Sequence, residues 1–531
     1  MAEKKGTVAE VLRDAADLVK RYRSPLLLAG LTLVSFLLLW RAVPIPVQIL
    51  LAAAGVCAAF GCSRRSALVY LVLLGLFTCF ERHFIIHYGE SFFQVGNQAL
   101  ITLHITDMDE VVAYLSIFKA VELLLCLLFA AGSVAVFRWG SVPPTIRRRT
   151  IAAAAFLLLA GAVGWEIVPP VVEHLRTWGV KKEFYLTRHD FRFGAVDRDP
   201  GSELFCLLVI GESHRKAEFD ELVLGGDVAP TLKTARERGE LWEFDDLITH
   251  YPQTYYSVFT LLSRRGADSM DLLWPEKGLF GLFREAGWKT CVISYQLKEP
   301  EKFGFNYVLN EAEEYFCQRD YSSSKFDQGM LIPLDAVMKR KEKKMFAVLK
   351  MVGVHFHYAS RYPKDAAVYR PCYKEKMKRS AYSPKEKQIL VNTYRNAMRF
   401  SGTFLEEVAR RIDRHETPAV MIFLSDHGVV NYDDGQNPFF GAAKSNFHIP
   451  CLIYGNAAFR RKVPPETAAA LRKNRTLPSS NRYLFETLVT LAGLDYPGRR
   501  PQLDLASPEA KAALDRMVWV WKTPMHYDTL P

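Results

Sequence analysis

Five apolar runs fill the first third of this 531-residue chain, with almost no polar sequence between them. A helix needs ~20 largely apolar residues to cross the hydrocarbon core of a membrane. A buried core helix would explain one such run, but not five in succession. The sequence therefore predicts an α-helical membrane domain of five spans over residues 1–172. The runs are Pro25–Trp40, Pro46–Cys62, Ala67–Phe80, Val111–Phe137 and Ile151–Val172.

The positive charges predict how these spans are oriented. Lys and Arg are frequent before the first run, at Arg64 and Arg65 between the second and third, and at Arg138 and Arg147–Arg149 between the fourth and fifth. The loop Ile85–Glu110 has neither. Because short basic loops stay in the cytoplasm, the N-terminus is predicted to be cytoplasmic. Five spans then place everything after residue 172 outside.

The chain has a formal net charge of +11. A basic chain of this kind often binds either nucleic acid or an anionic membrane surface. The basic residues next to the apolar runs favour membrane lipid. The basic segment Lys339–Lys344 has no interleaved aromatic residues that would stack on bases, which disfavours nucleic acid.

Beyond a linker with interfacial segments at residues 173–202, residues 203–531 alternate short apolar strands with helical patterns. This alternation predicts an α/β domain with a mainly parallel sheet. A long helix is predicted at Lys385–Arg411. The predicted strands are Leu204–Ile210, Lys289–Ser294, Phe346–Val352, Ala419–Leu424 and Ile449–Tyr454.

Polar side chains follow two of these strands. Glu212 comes after the first, and Asp426 and His427 come after the fourth. Ligands bind at the carboxyl ends of parallel strands, and two carboxylates with an imidazole suit a catalytic zinc site with an open position. The alternative for a polar residue at a strand end is a helix cap, a role that Ser213 suits.

Four short motifs occur in a fixed order along the second part of the chain. They are Gly211–Ser213, Pro252–Val258, Gly353–His355 with Arg361–Pro363, and Ser425–Gly428. This ordered set resembles the phosphoethanolamine transferases of Gram-negative inner membranes, within the alkaline-phosphatase/sulfatase superfamily. The resemblance implies a bacterial inner-membrane enzyme of five spans with a periplasmic catalytic domain.

By this resemblance, the enzyme would take phosphoethanolamine from phosphatidylethanolamine and pass it to an acceptor. The acceptor would be the lipopolysaccharide core, lipid A or a periplasmic glucan. Some family members have a cysteine pair that brackets the nucleophile loop. Its absence here makes the chain more similar to the branch that acts on core sugars or glucans than to the lipid A branch.

The resemblance also implies roles for single residues. Thr254 would be the nucleophile and would bind Zn2+ together with Glu212, Asp426 and His427. A metal can activate a hydroxyl at neutral pH, which makes this set chemically reasonable. Ser257 and Ser213 are the alternative nucleophiles.

His355 matches a family histidine near the phosphoryl group, where it would stabilise charge or protonate a leaving group. Of His355 and the nearby His357, one could be structural. In the outer loop, Thr106 and Glu110 resemble a pair that faces the lipid substrate. The alternative there is a cap for the helix that begins at Val111.

Two features are left open. The family commonly has a second histidine in the loop after Asp–His–Gly, which here contains none, and Lys444 or His448 near its end is the candidate substitute. Cys317 and Cys372 lie in polar sequence, and an oxidising exterior would permit them to form a disulfide.

Three other functions are alternatives. A sulfatase needs a Cys or Ser in a C/S-x-P-x-R motif, which the sequence lacks. A phosphoglycerol transferase of the lipoteichoic acid synthase type has the same fold and also uses a threonine. A membrane-anchored phosphodiesterase or a non-catalytic envelope-binding protein is the third, and the intact set of Glu212, Thr254, Asp426 and His427 argues against a non-catalytic protein.

Overall fold

The computed structural model describes most of the chain from Arg188 onward. The described residues are 188–268, 274–295, 306–373, 384–432, 441–513, 516–520 and 523–531, with five isolated residues before them. Apart from those five, they belong to one compact unit, Lys181–Lys378 with Tyr382–Pro531. Within this described part, no helix is both long and apolar enough to cross a membrane. Apart from those five residues, the five predicted spans lie outside the described part of the chain, as do Thr106 and Glu110.

The unit is built from short strands and helices that alternate along the chain. The strands are β1 Val196–Asp197, β2 Leu204–Gly211, β3 Leu241–Phe244, β4 Leu247–Ile248, β5 Lys289–Ser294, β6 Glu314–Cys317, β7 Lys344–Lys350, β8 Ala419–Ser425, β9 Cys451–Gly455, β10 Ser479–Ser480, β11 Leu494–Asp495, β12 Met517–Val520 and β13 Thr523–His526. The helices are α1 Lys216–Phe219, α2 Pro230–Glu237, α3 Thr254–Leu262, α4 Leu279–Glu285, α5 Asn306–Leu309, α6 Leu331–Met338, α7 Lys387–Asp413, α8 Ala457–Lys462, α9 Pro465–Lys473 and α10 Tyr483–Leu491.

Seven strands form the central sheet, in the order β3-β9-β8-β2-β7-β5-β6. The pairs β8–β2, β2–β7, β7–β5 and β5–β6 are parallel, which confirms the predicted mainly parallel sheet. Strand β9 runs antiparallel to β8 and β3. Between β8 and β9 the described residues contain no α-helix, so the chain returns from the same edge of the sheet and reverses direction.

Both faces of the sheet are covered, so its central strands are apolar throughout. All eight residues of β2 are buried. Alternate residues of this strand face opposite sides: Leu208 packs in the cluster that contains Phe259 of α3, and Leu207 in the cluster that contains Phe404 of α7. The result is a three-layer α/β/α domain, in which an uninterrupted apolar strand is the expected pattern.

Strand β7 begins and ends two residues earlier than predicted, at Lys344 and Lys350. The buried Asp327 is the reason at its carboxyl end. Its two carboxylate oxygens accept hydrogen bonds from the main-chain nitrogens of Val352, at 2.8 Å, and Gly353, at 2.9 Å. These two main-chain nitrogens therefore bond to Asp327 and not to a neighbouring strand, and the strand ends before them.

The described part of the predicted linker packs against the domain. Val196–Asp197 pairs with Leu494–Asp495, and Phe193 lies in the core cluster beside Phe485 and Tyr496. The half-buried Asp197 accepts from the ammonium of Lys344, at the start of β7. Residues 193–197 are thereby fixed to the domain.

Cys317 and Cys372 are both buried and are not joined by a disulfide. Cys317 ends strand β6, so it belongs to the sheet rather than to a polar loop. The disulfide that the sequence left open is not present.

Candidate active site

The site lies where three adjacent parallel strands end. Strand β2 is the middle one, with Gly211 paired to Ser425 of β8 and Ile210 paired to Lys350 of β7. The residues that follow these positions share one edge of the sheet. Glu212 comes directly after β2 and Asp426 directly after β8, as the sequence predicted.

Glu212, Asp426 and His427 are buried and come together as a cluster in which one ligand atom of each lies within 4.8 Å of the others. His427 Nε2 is 3.3 Å from Glu212 Oε1 and 3.8 Å from Asp426 Oδ2. Two carboxylates and an imidazole nitrogen at this spacing are a suitable ligand set for a divalent cation.

Main-chain hydrogen bonds hold the carboxylates in place. Ser213 adopts a left-handed conformation, with φ of 61°, which turns its nitrogen toward Asp426 Oδ1 at 3.2 Å. The same Oδ1 accepts from the nitrogen of His427 at 2.7 Å. The hydroxyl of Ser213 donates to Glu212 Oε1 at 3.0 Å. Ser213 is therefore not a helix cap, because α1 begins later, after Arg215.

The tautomer of His427 tests whether a metal fits. Its Nδ1 lies 2.6 Å from the carbonyl oxygen of Gly428, so Nδ1 carries a proton and donates it there. If the imidazole is neutral, Nε2 carries a lone pair that faces the carboxylates of Glu212 and Asp426. That arrangement is repulsive unless a cation, either a proton or a metal, lies between them. Burial lowers the pKa of His427, but Asp426 and Glu212 outweigh burial and raise it to about 9.

Lys350 is the site residue that sequence reasoning missed. Its ammonium is buried and donates to Glu212 Oε2 at 2.8 Å and to Asp426 Oδ2 at 3.3 Å. A lysine in an otherwise apolar strand is costly unless it is paired, and this was the available signal. The predicted strand continued to Val352, which placed Lys350 inside it rather than at its end.

The charges of this group depend on one another. Burial opposes ionisation of Glu212, but Lys350 and His427 outweigh it and hold the pKa of Glu212 well below its usual range. Burial and the nearby Glu212 raise the pKa of Asp426. Burial also disfavours the charge on Lys350, yet Asp426 and Glu212 outweigh it and raise the pKa of Lys350. The ammonium therefore remains charged beside the carboxylates.

Thr254 is the first residue of helix α3, and its hydroxyl faces the cluster. Oγ1 donates to Glu212 Oε2 at 3.1 Å and lies 3.4 Å from His427 Nε2. By contrast, the hydroxyl of Ser257 is buried and donates to the main-chain carbonyl of Asp426. Of the alternative hydroxyls, that of Ser213 also contacts Glu212, but only Thr254 has described contacts with both Glu212 and His427.

His355 lies on the turn that follows β7. Its Nδ1 is 2.7 Å from the carbonyl oxygen of Phe356, which makes Nε2 the basic nitrogen of the neutral ring. Arg361 holds this turn by donating to the carbonyl oxygens of His355, at 3.0 Å, and Phe356, at 3.1 Å. His355 is close enough to Glu212 to lower the pKa of that carboxyl. The ring of His357 packs against that of Phe356, with centroids 4.0 Å apart and planes tilted by 30°.

The two candidates for the missing histidine have other contacts. His448 is largely buried, and its Nε2 lies 2.9 Å from the main-chain carbonyl oxygen of Asp245. The side chain of Lys444 is exposed, and its main-chain nitrogen donates to the carbonyl of Pro531. Among the described residues, neither is recorded in contact with Glu212, Asp426 or His427.

Residues 205–494, more than half of the chain, match the protein-family model described as Sulfatase. The chain belongs to the sulfatase family. The matched region begins in β2 and ends at Leu494, so it contains Glu212, Asp426 and His427 as well as Thr254 and Lys350. Membership does not by itself supply sulfatase chemistry, because the C/S-x-P-x-R motif is absent.

Relatives carry a narrower name and confirm the resemblance seen in the motifs. Phosphoethanolamine transferase EptC of Escherichia coli O18:K1:H7 (strain RS218 / NMEC) is 23% identical over 341 residues, covering 61% of this chain and 57% of that protein. The match thus spans little more than half of the length of that relative.

Two solved structures share the fold. The periplasmic domain of Escherichia coli EptC, in complex with Zn, covers 64% of this chain and 96% of its own length, with 19% identity and a TM-score of 0.54. The integral membrane protein lipooligosaccharide phosphoethanolamine transferase A from Neisseria meningitidis covers 92% of this chain and 97% of its own, with 18% identity and a TM-score of 0.59.

Proposed function

We propose that this protein is a zinc-dependent phosphoethanolamine transferase. It takes the group from phosphatidylethanolamine, holds it on Thr254 and passes it to an envelope glycan or lipopolysaccharide acceptor. The observation that carries the proposal is the position of the Thr254 hydroxyl, 3.1 Å from Glu212 and 3.4 Å from His427 at the edge of a buried cluster of metal-ligand type.

Glu212, Asp426 and His427 would hold the metal, with the Thr254 hydroxyl completing a four-coordinate set. Oxygen and nitrogen donors in this number suit zinc, and the related EptC domain was solved with that ion. When bound, zinc supplies a Lewis acid that stabilises a deprotonated hydroxyl and the charge of a phosphoryl group. Lys350 keeps both carboxylates ionised and fixes their orientation.

The first step forms a bond between Thr254 Oγ1 and phosphorus and breaks the bond from phosphorus to the diacylglycerol oxygen. Thr254 loses its proton to solvent, and His355, protonated at Nε2, donates the proton that the leaving oxygen gains. In the second step a hydroxyl of the acceptor attacks phosphorus and gives its proton to His355 Nε2. The bond from phosphorus to Thr254 Oγ1 breaks, and Oγ1 takes a proton from solvent. No net proton is consumed over the cycle.

Helix α3 assists this chemistry through its N-terminus. Thr254 is its first residue, and the main-chain N–H groups of a first helical turn have no partner within the helix. The helix dipole favours negative charge at this end. A phosphoryl group on Thr254 would therefore lie in a positive environment made by α3 and Lys350.

The membrane location is part of the proposal. A lipid donor requires a membrane-bound enzyme, and the five apolar runs at residues 1–172 would supply the membrane domain. The similarity to a full-length integral membrane transferase over 92% of the chain supports this. The domain that follows would be periplasmic, on the side where the acceptors are exposed.

The test is to trap the intermediate. Full-length protein in detergent is incubated with zinc and phosphatidylethanolamine labelled in its ethanolamine, without acceptor, and its peptides are mapped by mass spectrometry. We expect phosphoethanolamine on Thr254 and none in Thr254→Ala. Thr254→Ser should retain part of the labelling, because the hydroxyl remains while the methyl group that restricts its rotamer is lost.

Ser257→Ala is the matched control, since Ser257 lies one helical turn from Thr254 and its hydroxyl is bonded to a main-chain carbonyl. Its label should be unchanged. A label on Ser257 or Ser213 would show that the nucleophile is assigned wrongly. Label only from a phosphatidylglycerol donor would identify a phosphoglycerol transferase, and release of free phosphoethanolamine without any adduct would favour a phosphodiesterase.

A further inference from the structure

A cavity in the described part of the chain lies apart from the candidate metal cluster, which is Glu212, Asp426 and His427, and is lined by different residues. Its volume is about 510 Å3, which is in the range of sites for small organic ligands. Arg264, Arg482 and Arg500 line it together with the buried ring of His250. Trp274 and Met517 provide apolar surface. Neither Thr254 nor any residue of the metal cluster belongs to this set.

Two of the three arginines already have carboxylate partners. Both Arg264 Nε and Nη2 donate to Glu276, at 2.9 and 2.7 Å, and Arg500 Nε donates to Glu486 at 3.3 Å. Arg482 differs. Its Nε is buried without a hydrogen-bond partner, and no ion pair is recorded for it in the described part of the chain.

The environment of Arg482 does not compensate for this charge. Burial and the nearby Arg500 lower the pKa of Arg482, and only Asp268 and two tyrosines oppose them. Arg482 also directly precedes helix α10, whose N-terminus favours an anion. A planar guanidinium in such a place matches a phosphate or carboxylate group.

His250 contributes a hydrogen-bond acceptor to the cavity, whereas Arg482 contributes donors. The ring is 3% exposed, and its Nδ1 lies 2.6 Å from the carbonyl oxygen of Met517. Burial lowers the pKa of His250 to about 4, so the ring is neutral with its proton on Nδ1. Nε2 is then a hydrogen-bond acceptor, and it is buried without a partner. It would accept from a hydroxyl group of a ligand.

We propose that this cavity binds a hydroxylated organic anion with the chemistry of a phosphorylated or acidic sugar. The anionic group pairs with Arg482 and a hydroxyl donates to His250 Nε2. An inorganic anion is too small to fill the cavity and offers no hydroxylated ring to reach His250. This inference stands apart from the proposed transfer reaction, because binding needs neither metal nor donor lipid.

The test is calorimetric titration of full-length protein in detergent at neutral pH, with EDTA present so that no bound metal offers another anion site. The probes are glucose 6-phosphate, glucuronate, glucose and inorganic phosphate. We expect glucose 6-phosphate or glucuronate to bind, and glucose and inorganic phosphate to bind at least ~10-fold more weakly. Arg482→Gln should weaken the binding ~10–100-fold, as expected for loss of a charged hydrogen bond.

Arg475→Gln is the matched control, because Arg475 is a more exposed arginine that pairs with Asp245 outside the cavity. It should leave binding unchanged. Arg482→Lys keeps the charge without the planar fork and should give an intermediate affinity, which preserves the test if Arg482→Gln does not fold. Equal affinity of wild type and Arg482→Gln would overturn the proposal. So would absence of binding, or equal binding of glucose or inorganic phosphate and the sugar phosphate.

Discussion

At the scale of single residues, the ammonium of Lys350 compensates the negative charge of the carboxylates of Glu212 and Asp426. Lys350→Met would leave Glu212 and Asp426 buried without their ammonium partner. Breaking a buried ion pair in this way costs about 3–5 kcal/mol. We expect a lower melting temperature of the metal-free protein, measured in EDTA by differential scanning calorimetry. Zinc should restore more stability to Lys350→Met than it adds to the wild type, because it no longer competes with the ammonium for the carboxylate oxygens.

Lys344→Met is the control for this effect. Lys344 is also buried and paired with a carboxylate, that of Asp197, but it lies at the other end of β7. It should lose stability by a similar mechanism, and zinc should add no more than in the wild type. If zinc stabilised wild type and Lys350→Met equally, Lys350 would not act on the ligand oxygens in the metal-bound state.

Some site residues were predictable because strand ends in a parallel sheet meet at one edge. Glu212 and Asp426 each follow an apolar run directly, so their proximity follows from the fold class alone. Lys350 was not found, since its place at a strand end depends on Asp327, which is distant in sequence and ends the strand early. The alternative of a helix cap at Ser213 is not realised, because its hydroxyl donates to Glu212 and the next helix begins after Arg215.

At the scale of elements, the turn after β7 sets the distance between this strand and the residue that follows β2. Gly353 has φ of +46°, and an added Cβ would lie 2.9 Å from the carbonyl oxygen of Glu212. Gly353→Ala would therefore both strain the turn and push Glu212 out of position. We expect a loss of about 1–3 kcal/mol in stability. We also expect weaker zinc binding, measured by titration with a competing chelator.

Gly493→Ala is the control that distinguishes backbone strain from displacement of Glu212. Gly493 has φ of +69° and nothing within 4 Å of an added Cβ. Its substitution should cause comparable backbone strain and leave the zinc affinity unchanged. Unchanged zinc affinity in Gly353→Ala as well would show that the turn does not position Glu212.

The longer elements could be read from sequence, and the shorter ones could not. Five strands of the central sheet and helix α7 were predicted, because each has an apolar run or a helical period long enough to recognise. Strands β3 and β6, of four residues each, were missed. The antiparallel direction of β9 was also not predicted, since direction is set by the connection from β8 and not by the composition of the strand.

At the scale of the whole molecule, buried titratable groups make stability depend on pH. Burial lowers the pKa of His250 to about 4. Below pH ~6.5 the unfolded chain binds a proton here that the folded protein does not bind. Folding stability should therefore fall as pH decreases from about 6.5 to about 4, by up to ~3 kcal/mol. His250→Asn should reduce the slope in this window by about 1.4 kcal/mol per pH unit, measured from thermal unfolding across pH.

Asp327 should act with the opposite sign. Burial raises the pKa of Asp327 to about 6, so the folded protein holds a proton that the unfolded chain releases above pH ~3.9. Its contribution is present at low pH and is lost as pH rises to about 6. Asp327→Asn should therefore make stability increase more steeply with pH in this window. If His250→Asn and Asp327→Asn changed the slope of stability against pH in the same direction, the opposite pKa shifts given for the two residues would be contradicted.

The loop charges predict how the whole chain would be oriented in a membrane. Arg64, Arg65 and the basic segment Arg138–Arg149 should remain in the cytoplasm, because moving clustered positive charge across a bilayer is unfavourable. A reporter enzyme that is active only outside the cytoplasm should be silent when fused at Arg65. It should be active when fused at Asn97, in the loop without Lys or Arg, and after Pro200. Activity at Arg65 with silence after Pro200 would place the domain in the cytoplasm, away from the proposed acceptors.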